Sequence, residues 1–235
     1  EGDHRGDVGG FAEAAERAHR GNPRDRRLVL AVEKEPGRRR PGGDRIHRDP
    51  VCGDFLGEMA RDPENYSMEG KKEELTVLFS DVRGFTSISE GLDSKELTQL
   101  MNEYLGAMTQ VVQKNRGTLD KYIGDAIMAF WGAPLPDADH ARHAVQTALA
   151  MQTELRKLDA QFTERGWPLL HIGVGVNTGT MTVGDMGSTV RQSYTVMGDA
   201  VNLGSRLEGI TKQYGVGIIV SESTKGLVKE VVYRE

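Results

Sequence analysis

Two aspartates stand where chemistry could be done. Asp81 ends the apolar run "ELTVLFS" (74–80), and Asp125 follows Gly124 in the middle of "TLDKYIGDAIMAFWG" (118–132). Carboxylates carried on rigid elements suit a hard divalent cation such as Mg²⁺, which keeps several waters and bridges protein carboxylates to substrate phosphates. The backbone behind Asp81, through Gly84, Phe85 and Thr86 in "DVRGFTS", can turn its N–H groups toward the same phosphates. An ordinary alternative stays open on spacing alone, because aspartate caps helices and turns throughout proteins.

The elements that would carry these residues can be read from periodicity. Residues 74–80 form a β-rich run. Asp93 and Glu96 have capping-box spacing ahead of Leu97, Leu100, Met101, Tyr104, Leu105, Met108, Val111 and Val112, which repeat every three or four residues as on an amphipathic helix closed by Gly117. Gly124-Asp125 between two β-rich arms is a hairpin signal. A second long helix is expected from about Ala138 to Arg165. Residues 169–186 read as two strands joined at 177–179, and 193–198 as a short strand. Residues 199–215 read as a helix capped by Asp199 and closed by Gly215, followed by the strand 216–222 and a short helix. Recurring hairpins predict an α+β fold with a mainly antiparallel sheet and flanking helices.

The chain has 235 residues and a net charge of -5, which gives no basic field for nucleic acid. One cysteine, Cys52, excludes a disulfide framework and a cysteine-rich metal site. No apolar run approaches the roughly 18 residues of a membrane span, and no signal peptide is visible, so a cytoplasmic location is expected, with anchoring through a further region left open. Residues 1–57 lack Ser, Thr, Tyr, Trp and Gln and hold eleven Arg against one Lys. They are expected to be disordered, or a non-native low-complexity segment of the kind a GC-rich gene yields out of frame. Residues 58–73 then serve as a linker and 74–235 as the folded domain.

"LFSDVRGFTSISE", "DKYIGDAIMAFWG", "VGVNTGTMTVGDMG" and "YTVMGDAVNLGSRLE", in this order, resemble the catalytic domain of class III nucleotide cyclases over roughly 75–221. The resemblance implies a ferredoxin-like domain acting as a head-to-tail homodimer with its active sites at the interface. It implies a reaction in which the ribose 3′-oxygen of ATP or GTP attacks the α-phosphorus and expels pyrophosphate. By position, Asp81 and Asp125 match the two metal-binding aspartates, with Val82 adding a backbone carbonyl, and two Mg²⁺ or Mn²⁺ ions per site are implied. Asn202 and Arg206, four residues apart on one helix face, match the pair that orients the ribose and stabilises the transition state.

Lys121 and Thr195 match the purine-reading positions. Lys121 only donates, as adenine N1 requires, and Thr195 can accept from the 6-amino group; guanine reverses both needs. ATP is therefore the expected substrate, with a guanylate cyclase or a catalytically weak dimerisation or nucleotide-sensing module as alternatives. Relatives continue into a β-hairpin whose basic residue contacts the triphosphate. The sequence ends at "VVYRE" without a counterpart, which predicts weaker activity than a longer chain would have. The histidines of "HARH" (140–143) read as a solvated helix start, Trp131 and Trp167 as packing residues, and the glycines of "GVGVNTG" as sites of close packing and a tight turn.

Overall fold

A computed structural model describes residues 30–32, 70–188 and 191–234. The segment 1–57 expected to lack structure lies outside the described residues except for 30–32, and so does the linker up to residue 69.

Strand β1 is Leu30–Val32, inside the apolar run 27–33. Strand β2 (Lys71–Val82) is followed by helices α1 (Phe85–Gly91) and α2 (Ser94–Lys114), then by β3 (Thr118–Ile123) and β4 (Ala126–Trp131). Helix α3 (His140–Glu164), β5 (Ile172–Ser188), β6 (Arg191–Met197), α4 (Asp199–Tyr214), β7 (Ile218–Val220), α5 (Glu222–Leu227) and β8 (Tyr233–Arg234) complete the chain. The sheet order is β3-β4-β2-β5-β7-β1-β8, with β6 paired to β5. Its centre, β5-β2-β4-β3, is the arrangement of a ferredoxin-like βαββαβ unit. Pairing is antiparallel except between β5 and β7.

Strand β2 is covered on both faces, which explains its unbroken buried run Leu75–Leu78. Because side chains alternate, Leu78 and Val82 enter the core under α2 and α3, while Leu75 and Val77 enter a second core with Met181, Val196 and Val201 beneath β6 and α4. Asp93 caps α2, accepting from the Lys95 and Glu96 N–H groups, and Leu100, Tyr104, Met108, Val111 and Val112 form its buried stripe. Trp131 and Trp167 are both buried in the first core.

Four local expectations are corrected. Residues 172–188 form one strand, not two joined at 177–179: Gly179 stays in register with Leu75, and Asn177 Nδ2 donates to Ala200 O at 2.6 Å instead of making a turn. The glycines of this strand serve close packing, since a Cβ on Gly175 would collide with the Glu208 and Gly204 backbone of α4. The left-handed residue after α2 is Arg116 (φ 62), while Gly117 is glycine because a Cβ there would stand 2.6 Å from the Trp131 ring. Helix α4 is N-capped by Gly198, with Asp199 in its first turn, and Gly215 (φ 64) closes it. The histidines of 140–143 are engaged, His140 with Thr76 Oγ1 at 2.7 Å and His143 with Asp137 at 2.6 Å.

Candidate active site

Asp81 is delivered by the last turn of a strand held on both sides, paired to Gly173 of β5. Asp125 sits in the two-residue turn between β3 and β4, where Gly124 takes φ 66, a left-handed value that favours glycine. The turn folds back onto the end of β2, and Asp125 Oδ2 accepts from the Val82 N–H at 3.1 Å. Val82 itself is buried. Burial, then the charge of Asp125 and a hydrogen bond with it, raise the Asp81 carboxyl to about 6. The two carboxylates therefore share one site, and the charge of Asp125 disfavours ionisation of Asp81.

Among the described residues, no group of three or more His, Cys, Asp or Glu is arranged to hold a metal. Two carboxylates fit Mg²⁺, which takes one or two from protein and its remaining ligands from water and phosphate. Gly84 (φ 68) caps helix α1, a helix the sequence reading missed. The turn expected at 84–86 is its first turn, with Phe85 half-buried and Thr86 exposed. The Gly84 carbonyl accepts from the Ser87 and Ile88 N–H groups, and the first-turn N–H groups of Phe85 and Thr86 have no partner within the helix.

Two groups beside the pair were not singled out from sequence. Glu208 of α4 reaches over Gly173, the residue paired with Asp81, and a Cβ on Gly173 would stand 2.9 Å from Glu208 Oε1. Burial raises its carboxyl to about 7, Asp81 and Asp125 add to the rise, and Arg83 opposes it. Arg83 is itself held by the Val216 carbonyl. Beneath the carboxylates, the buried Tyr104 hydroxyl and Ser80 Oγ have no aligned hydrogen-bond partner, and burial pushes the Tyr104 phenol above its ordinary range. Only the i, i+3/i+4 stripe containing Tyr104 was visible in the sequence, and it pointed to packing.

Asn202 and Arg206 are both exposed on α4, whose buried residues are Val201, Gly204, Leu207 and Thr211. Glu208 lies two residues beyond Arg206, about 200° round the helix, so Arg206 projects away from the side that reaches Asp81. Among the described residues, no hydrogen bond or ion pair joins Asn202 or Arg206 to Asp81 or Asp125. The fold separates these two pairs.

It brings Lys121 and Thr195 together. Lys121 Nζ donates to Thr195 Oγ1 at 3.4 Å across 74 positions of sequence. Asp120, not singled out from sequence, completes the cluster: Thr195 Oγ1 donates to Asp120 Oδ2 at 2.5 Å, and Lys121 Nζ lies 3.1 Å from Asp120 Oδ1. Neighbours on a regular strand face opposite ways, but β3 shifts register between Leu119 and Lys121, and this bulge puts Asp120 and Lys121 at one spot.

The family model described as adenylate and guanylate cyclase catalytic domain matches residues 68–234. Adenylate cyclase 1 of Rhizobium meliloti is 37% identical over 161 residues, 68% of this chain and 24% of that protein. The adenylate cyclase of Anabaena cylindrica is 41% identical over 153 residues, 63% of this chain and 30% of that protein. The chain thus spans less than a third of the length of these relatives. The crystal structure of the adenylyl cyclase CyaB from P. aeruginosa superposes with a TM-score of 0.65 at 40% identity, covering 69% of this chain and 83% of that one. The guanylyl cyclase Cya2 superposes at 0.63 and 40%, covering 67% and 79%. With the sheet and a family match over most of its length in agreement, the chain belongs to the adenylate and guanylate cyclase catalytic domain family.

Proposed function

We propose that residues 74–235 form a catalytic domain that converts ATP to 3′,5′-cyclic AMP and pyrophosphate. In that reaction a bond forms between the ribose 3′-oxygen and the α-phosphorus, the bond from that phosphorus to the departing pyrophosphate breaks, and the 3′-hydroxyl proton is lost. Solved relatives named for adenylyl and for guanylyl cyclase activity are equally identical to the chain, so overall similarity does not choose the base. The observation that carries the reading is the meeting of Lys121 with Thr195. An ammonium has only protons to offer, which suits adenine N1 and opposes the N1–H of guanine.

Asp81 and Asp125, with the Val82 carbonyl, would hold Mg²⁺ or Mn²⁺, two per site. Bound there, divalent ions supply charge neutralisation to the attacking oxygen and the leaving pyrophosphate. The N–H groups of Phe85 and Thr86 behind Gly84 face the phosphates. Arg206 offers a fixed fork of donors to the phosphorus as charge builds on its oxygens, and Asn202 orients the ribose. Little covalent work remains for protein groups, so positioning and electrostatics carry the rate.

The separation of Asp81 from Arg206 within one chain supports a site completed by a second copy. Two copies related by a two-fold axis would form two equivalent sites. Exposed apolar side chains flank the base-reading pair, Tyr122 and Ile123 on β3 at 45% and 55% and Met197 on β6 at 54%, and a second copy would cover them. The test is an assay of the purified chain with ATP and with GTP in Mg²⁺ and in Mn²⁺. Cyclic AMP as the dominant product is expected. Dominant cyclic GMP would establish the guanylate alternative, and nucleotide binding without turnover would favour a sensing or dimerisation module.

A further inference from the structure

The Asp120 side chain has no solvent exposure, which sets it apart from the surface carboxylates of the chain. Its two oxygens face two different groups. Oδ2 accepts the Thr195 hydroxyl proton at 2.5 Å, and Oδ1 lies 3.1 Å from the Lys121 ammonium without an aligned hydrogen bond. Thr195 is 4% exposed, while the Lys121 side chain is 45% exposed. The cluster is thus a buried carboxylate, a nearly buried hydroxyl and an ammonium that reaches the surface.

The donor and acceptor capacity of each group can be counted. A hydroxyl has one proton and two lone pairs. In Thr195 the proton goes to Asp120 and one lone pair receives the Lys121 ammonium, which leaves one lone pair. Lys121 gives one of its three protons to Thr195 and is held by charge beside Asp120 Oδ1, which leaves a proton for a base. The surface left for a base is one donor from Lys121 and one acceptor from Thr195. Adenine presents an N1 acceptor beside a 6-amino donor and matches both. Guanine held in the same pose, with N1–H facing Lys121 and O6 facing Thr195, sets a donor against a donor and an acceptor against an acceptor. Without the carboxylate, the Thr195 hydroxyl could rotate and donate to O6.

We propose that Asp120 is a positioning residue that sets the polarity of purine reading, by taking the Thr195 proton and tethering Lys121. The proposal rests on the adenylate reading of the same site. Asp120 touches no substrate; it acts through its two neighbours.

The experiment compares kcat and KM for ATP and GTP, with displacement of a fluorescent ATP analogue read alongside so that discrimination is measured even where turnover is slow. In Asp120→Asn the amide can donate to Thr195 Oγ1 and release the threonine proton. The ATP-to-GTP ratio of kcat/KM is expected to fall about tenfold or more, through KM for ATP with little change in kcat. An unchanged ratio, or an equal loss on both nucleotides, would overturn the proposal. The second arm also serves if Asp120→Asn fails to fold. Thr195→Asp puts a second carboxylate against Asp120 and is expected to lose ATP affinity. Adding Asp120→Asn to it moves the carboxylate from position 120 to 195 and is expected to restore ATP preference, whereas no recovery would overturn the proposal. A wild-type chain that prefers GTP would overturn the adenylate reading and this proposal together. A wild-type preference for ATP that survives in Asp120→Asn would sink only the role of Asp120.

Discussion

The backbone N–H of Val82 donates to Asp125 Oδ2 at 3.1 Å, joining the tip of one hairpin to the end of the strand that presents Asp81. Positions 43 apart in sequence are tied by a single bond, and the two carboxylates become neighbours. Asp125 thus both supplies charge and closes the site.

These two contributions are separable. Asp125→Asn keeps an oxygen for Val82 and loses the charge, so folding is expected near wild type while activity falls by roughly a hundredfold or more. Asp125→Ala loses both and is expected to melt lower as well. Thermal melts paired with cyclase assays over a metal titration distinguish the two variants.

Splitting the site between copies can be tested by mixing. Asp81→Ala and Arg206→Ala are each expected to be inactive as homodimers. In an equal mixture half of the dimers pair one of each, and each such dimer has one intact site, so recovery to about a quarter of wild-type activity is expected. Heterodimers demonstrated by tagged co-purification but still inactive would show that one chain holds the whole site.

The carboxylate cluster makes a signed prediction for the metal-free protein. Asp81 ionises at about 6 in the folded chain against an ordinary 3.8, and Glu208 at about 7 against 4.5. Between those values the folded state holds more protons than the unfolded state, so this contribution to stability is present at low pH and lost as pH rises from about 4 to about 7. The melting temperature of Asp81→Asn relative to wild type, measured in a chelator, is expected to rise over that interval. Saturating Mg²⁺ or Mn²⁺ at pH 8 should reduce the difference by stabilising wild type. A flat difference across the range would contradict the shared-site geometry.

The packing of α4 on β5 sets an order for glycine substitutions. A Cβ at Gly175 meets the backbone of Glu208 and Gly204, which cannot swing aside, so Gly175→Ala is expected to cost about 1–3 kcal/mol or more. At Gly179 the nearest atom is Ala200 Cβ at 3.1 Å, and a smaller loss is expected. Gly209, on α4 with open space around it, should stabilise by about 0.5–1 kcal/mol when changed to alanine. Chemical denaturation of the three variants checks the order.

Much of this molecule could be read one residue at a time. The stripe from Leu100 to Val112, the Asp93 cap and the Gly124-Asp125 turn are local signals, because helix and hairpin periods act within a few residues. Local rules failed where packing overrode them. The segment Asn177–Gly179 carries turn residues, yet pairing with Leu75–Val77 on one side and α4 on the other holds it extended. Gly117 resembles a helix stop, but its missing Cβ makes room for Trp131, and Arg116 takes the left-handed position instead.

The sequence by itself determined the candidate residue types: the aspartates at strand end and turn, the Asn202–Arg206 spacing and the Lys121–Thr195 pair. Only the tertiary structure decided which of them meet. A β-bulge turned Asp120 toward a threonine 75 positions away, α4 carried Glu208 over Gly173, and the same helix turned Arg206 the other way. Such encounters depend on strand register and on which helix face the sheet covers. Both are settled by burial of the whole core, so no window of neighbouring residues contains them.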